Sequence, residues 1–183
     1  MVYMMRDGTI LSALRDSLPR SFGWVLVFAV AMAYFESAIV VYLREIAYPE
    51  GFAFPLAPIP KDIAVTEIGR EAMSLLMIAT VGIIAGGTRR RRFAYFLIIF
   101  AVWDIFYYIF LLLLLNWPPS IMTWDILFLI PVVWSGPVLT PILVSLMMLV
   151  TGTLLVLRRP ETDGGRVMRK DEWVVLSAGA LVS

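Results

Sequence analysis

The stretch TEIGREAMSLLMIATVGIIAG, residues 66–86, decides how the rest of this chain is read. Its last two thirds are apolar, and together with its first turns the stretch is long enough to cross a bilayer. Its first turns nevertheless carry Glu67, Arg70 and Glu71. At helical spacing these three are i, i+3 and i+4, and so share one face. Ionisable groups inside a membrane span are rare, and each marks a candidate functional position.

The surrounding composition agrees with a membrane reading. Of 183 residues, 61% are hydrophobic and 16% charged, with a mean hydropathy of +0.87. A soluble domain carries roughly a quarter charged residues. The expected fold class is an all-α integral membrane protein, built as a four-span helical bundle. Residues 1–183 then form a single membrane domain, with spans at about 21–43, 65–86, 93–115 and 137–157.

The flanking segments complete this plan. Residues 1–20 place Ile10, Leu11, Leu14 and Leu18 on one side and Arg6, Asp7, Arg15 and Asp16 on the other, as an interfacial helix does. Ala31-Met32-Ala33 resembles a signal-peptidase site, but the apolar run continues past it to Leu43, which favours a retained helix. Residues 46–64 interleave Pro49, Pro55, Pro58 and Pro60 with Tyr48, Phe52 and Phe54. That connector reads as extended or turn-rich, either a lid over the helix ends or a packed loop.

Gly82 and Gly86 make a GxxxG pair suited to close helix contact. Arg89 to Arg92 read as a tight basic loop before the third span, which Asn116-Trp117-Pro118-Pro119 ends. Pro131, Pro137 and Pro141 interrupt Ile121 to Leu157. Trp124 to about Trp134 is therefore expected to be a short outer segment, either an interfacial helix or a re-entrant segment, before a fourth span from Pro137. A single long kinked helix is the alternative. Residues 158–172 read as a polar cytoplasmic tail. Residues 173–183 are apolar but too short to cross, and read as an interfacial helix or the incomplete start of a fifth span.

Basic residues set the expected orientation. Twelve of the 15 Lys and Arg fall before the first span, between the second and third, or after the fourth. By the positive-inside rule the N-terminus is cytoplasmic in a multi-pass membrane protein. Glu36, Glu45, Glu50, Asp62, Glu67, Glu71, Asp104 and Asp125, eight of 14 acids, fall in the spans or on the outer side.

The absence of cysteine and histidine removes several chemistries. No covalent c-type haem, iron–sulfur cluster or His-ligated metal is expected. Carboxylates, arginine, tyrosine and backbone groups are left, without a phosphate-binding loop or a catalytic-serine motif.

The candidate ligand- or ion-binding residues are Glu36, Glu67, Arg70, Glu71 and Asp104, supported by Tyr34, Tyr107 and Tyr108. Any metal would use Glu36, Glu67, Glu71 and Asp104. Helical rise places Glu36, Glu67, Arg70 and Glu71 in the outer half of the bundle and Asp104 near the midplane. Asp104, Tyr107 and Tyr108 share a face at i, i+3 and i+4. Tyr34 is available on the first helix. Glu45 points away from Glu36, and Asp125 reads as an acid in the first turn of a helix, complementing its dipole.

A charged Asp at a helix centre costs roughly 2.5–3.5 kcal/mol on insertion scales. One arginine does not neutralise four acids. Either some carboxyls are neutral or a bound cation completes the balance. The leading functional reading is therefore a pocket that binds or moves a cation or protons, with hard oxygen ligands. Two alternatives stand beside it: a membrane-embedded enzyme acting on a lipid or isoprenoid, and a non-catalytic subunit of a larger membrane complex. The expected partners are the lipid bilayer, a cation or lipid ligand, and a homo-oligomer or larger assembly, with no nucleic acid.

Overall fold

A computed structural model describes residues 21–48 and 60–157 of the chain. The expected interfacial helix at 1–20, the proline-rich stretch 49–59 and everything after Leu157 lie outside the described residues.

Four helices form the body: α1 (Ser21–Ala47), α2 (Lys61–Ala85), α3 (Arg89–Leu115) and α4 (Leu139–Leu157). Each is long and apolar enough to cross a membrane, from 19 residues in α4 to 27 in α3. At about 1.5 Å per residue, the shortest still covers about 28 Å. The four expected spans are therefore present, and the chain is a polytopic helical bundle.

Local chemistry explains where the helices stop. The expected basic loop at Arg89–Arg92 is instead the first turn of α3. Thr88 caps that turn, its Oγ1 accepting from Arg91 N–H at 3.3 Å, so Gly86-Gly87-Thr88 alone makes the bend. Asn116 ends α3 in the left-handed conformation (φ 51°), its N–H donating to Leu112 O at 3.0 Å. Trp117-Pro118-Pro119 then prevents continuation.

α3 is the central helix, packing against α1, α2 and α4. Near its basic N-terminal end the packing is tight. A Cβ on Gly82 would lie 3.1 Å from Arg92 O, and one on Gly152 would lie 2.7 Å from Ile98 Cγ1. Small residues thus let backbones approach where apolar attraction to lipid cannot hold helices apart or together. Tyr95, Ile98 and Ile99 of α3 fill this half, with Val25 and Ala29 of α1, Ile78 of α2 and Leu155 of α4. A smaller cluster of Tyr108, Leu111 and Val138 lies towards the other end.

The segment after α3 corrects the sequence reading. Neither a short helix nor one long kinked helix is present. Trp124–Phe128 (β1) and Trp134–Pro137 (β2) pair as an antiparallel hairpin, with Asp125 opposite Gly136 and Phe128 opposite Trp134. An irregularity between Ile126 and Phe128 re-aims the strand. Short apolar runs do not distinguish strand from helix, and here pairing settles the matter. Pro137 belongs to β2, so α4 starts two residues later than expected.

The hairpin folds back along the bundle. Phe128 stacks on Phe100 at 5.8 Å and meets Trp103 edge-on at 6.3 Å, both near the middle of α3. This return closes one side of a cavity in the hairpin half of the molecule.

Candidate functional site

The cavity has a volume of about 250 Å³ and is walled by α1, α2, α3 and the hairpin. On α1 the residues facing it are Glu36, Val40, Leu43 and Arg44, the i, i+4, i+7 and i+8 positions of one stripe. On α2 they include Ala64, Glu67, Ile68, Glu71 and Ser74; on α3 they are Trp103, Asp104, Tyr107 and Tyr108. Asp125 to Leu129 supply the hairpin wall.

The structure brings all five principal candidates, Glu36, Glu67, Arg70, Glu71 and Asp104, to this one cavity, with Tyr107 and Tyr108. Tyr34 is a correction. It precedes Glu36 by two residues, about 200° round the helix, and is exposed, with its ring edge-on to Phe110.

Each acid has a distinct partner. Arg70 bridges two helices: Nη1 pairs with Glu36 Oε2 on α1, and Nε donates to Glu67 Oε2 at 2.8 Å on its own helix. Ser74 Oγ donates to the other oxygen of Glu36. The Glu36 carboxylate is thus held on both sides, which its burial requires.

Glu71 serves the hairpin. Its oxygens accept from Leu129 N–H at 2.9 and 3.2 Å and from Ile130 N–H at 3.3 Å, satisfying donors at the hairpin turn. Asp104 Oδ2 accepts from Ser145 Oγ at 2.8 Å, linking α3 to α4. Asp104 Oδ1 has no partner among the described residues.

Asp125 reverses its expected role. It lies on a strand, is buried, accepts from Tyr108 Oη at 3.2 Å and has Arg44 Nη2 at 3.7 Å. The Arg44 guanidinium also sits 3.9 Å above the Trp117 ring, a cation–π contact. Burial pushes the Asp125 carboxyl up to about 6, while Arg44, the Ile126 backbone and Tyr108 each pull it back down.

Sequence reasoning therefore left Asp125 and Arg44 out of the site and passed over Ser74 and Ser145. Arg44 had a signal, since it shares the apolar-to-polar stripe of Glu36 on α1. Alternation around Asp125, between Trp124 and Ile126, was a weak strand signal. The serines carried none, because neutral hydroxyls are common in membrane helices.

Five carboxyls and two guanidiniums line the cavity, an excess of three acids. Among the described residues, however, no three acidic side chains converge closely enough to hold a metal ion. Among the described residues the buried charges other than Arg90, namely Glu36, Glu71, Asp104 and Asp125, all belong to this site.

No protein-family model, curated protein or solved structure matches this chain.

Proposed function

We propose that this protein binds or moves a cation or protons through the acid-rich cavity. The observation that carries the reading is the excess of three carboxyls over guanidiniums around one cavity. In a medium of low dielectric an unmatched negative charge is expensive, so an incoming positive charge is favoured there. Asp104 is the group best placed to receive it, because it is buried and one of its oxygens has no partner among the described residues.

Orientation follows from the basic residues. With Arg89–Arg92 on the cytoplasmic side, the hairpin and cavity lie in the outer half, and the hairpin is the outer non-spanning segment. The N-terminal half of α3 and its neighbours then form a dry apolar plug beneath the cavity.

The alternative of an enzyme acting on an anionic lipid or isoprenoid needs a cation to hold the head group. Arg70 is engaged by Glu36 and Glu67, and Arg44 by Asp125 and Trp117. This disfavours an anionic ligand.

The test is stabilisation of the purified protein in detergent by added cations at fixed pH, since Asp125 gives stability a pH dependence of its own. Wild type is expected to respond, and the response should disappear in Asp104→Asn and in Glu36→Gln. An unchanged response in both variants would remove the proposal.

A further inference from the structure

The size and lining of the cavity bear on which cation it takes. A volume of about 250 Å³ corresponds to roughly eight waters at about 30 Å³ each. A bare metal ion would fill little of it. Calcium or magnesium also needs about six converging oxygens, and no three acids converge among the described residues.

The acid oxygens are mostly committed. Glu36 holds Arg70 and Ser74, Glu71 holds two backbone N–H groups, and Asp125 holds Tyr108 and Arg44. Among the described residues Asp104, only 8% exposed, keeps one oxygen unpartnered, as does the more exposed Glu67 beside Arg70, so the cavity offers separate directed acceptors rather than a ring of them. Trp103, Tyr107, Tyr108 and Phe128 line the same cavity. Aromatic walls suit an apolar body and attract an ammonium group through their faces.

We infer that the ligand is a small organic cation, a primary or secondary amine with an apolar body of roughly ten non-hydrogen atoms. Its N–H donates to Asp104 Oδ1, and its body lies against Trp103, Tyr107 and Phe128. This rests on the cation reading given above and names its ligand class. The charge-assisted hydrogen bond supplies direction, and the aromatic wall excludes hydrated inorganic ions by leaving them few oxygens.

The experiment uses the full chain in detergent or nanodiscs at pH 7, titrated with 2-phenylethylamine, its uncharged isostere 2-phenylethanol, sodium chloride or calcium chloride. Thermal stabilisation and calorimetric binding are the readouts. The amine is expected to bind saturably, about tenfold or more tightly than the alcohol. Asp104→Asn should weaken the amine about tenfold or more while leaving alcohol binding in place. Ala64→Phe, which narrows the cavity and leaves every acid in the chain, should weaken the amine and keeps the test open if Asp104→Asn does not fold.

Equal binding of amine and alcohol would overturn the inference, as would amine binding that survives both substitutions. Stabilisation by sodium or calcium alone would also overturn it, leaving the broader cation reading standing. Stabilisation by none of the four would overturn both.

Discussion

Glu71 and Leu129, 58 residues apart in sequence, are joined by two hydrogen bonds, with both carboxylate oxygens accepting from one backbone N–H at 2.9 and 3.2 Å. The hairpin turn has no strand partner for this donor or for the neighbouring Ile130 N–H, which the same carboxylate accepts. A side chain on α2 thus replaces the missing ladder and decides where the hairpin closes.

Replacing Glu71 by Ala should leave these donors without an acceptor, at about 1–3 kcal/mol for a buried unsatisfied group. Glu71→Gln should cost less, since one oxygen remains. Amide exchange at Leu129 and Ile130 is the sensitive measurement. Protection factors unchanged in Glu71→Ala would show that the contact does not hold the hairpin.

Arg70 holds a buried carboxylate, so removing it is expected to cost more than removing both partners. Arg70→Gln leaves the buried Glu36 carboxylate with Ser74 alone, a loss of up to about 3–5 kcal/mol. Glu36→Gln combined with Arg70→Gln should recover much of that loss. A double-mutant cycle measured by unfolding in detergent gives the coupling; additivity of the two single effects would contradict the pairing.

Asp125 makes stability depend on pH. Its carboxyl is held at about 6 in the folded chain against 3.8 when unperturbed, mainly because burial penalises the charge. The folded state therefore binds the proton more tightly than the unfolded state. The stability this group contributes is fully present below about pH 4 and is lost as pH rises through about 6, an effect on the order of 3 kcal/mol. Asp125→Asn cannot titrate. Relative to wild type it should gain stability as pH rises from 4 to 7, whatever constant penalty follows from leaving Arg44 without its acid. Melting curves of the two proteins that stay parallel over that range would contradict the assignment.

The glycines on close helix contacts should be unequal in a predictable way. A Cβ on Gly86 would come within 2.4 Å of Arg92 N, and one on Gly152 within 2.9 Å of Ala94 O, so both meet backbone that cannot swing aside. Gly86→Ala and Gly152→Ala are expected to destabilise by about 1–3 kcal/mol. Gly69→Ala meets nothing within 4 Å and should stabilise α2 by about 0.5–1 kcal/mol. Thermal unfolding of the three variants checks the order.

The four spans, the glycine approach between α2 and α3 and the gathering of acids away from the Arg89–Arg92 end were legible in the sequence. These depend on run length, residue size and charge, which are local quantities. Periodicity also placed Glu67, Arg70 and Glu71 on one face of α2, and Asp104, Tyr107 and Tyr108 on one face of α3. Periodicity assigns faces within a helix, however, and is silent on which helices those faces meet. That Arg70 reaches Glu36 on α1, that Ser145 holds Asp104, and that Asp125 is buried against Arg44 depended on how the elements pack. So did the hairpin, because a five-residue apolar run acquires its conformation from its partners. The sequence by itself determined the four membrane-crossing helices and their charge asymmetry. Only the tertiary structure turned that asymmetry into a cavity, through the hairpin that Glu71 holds down across its side.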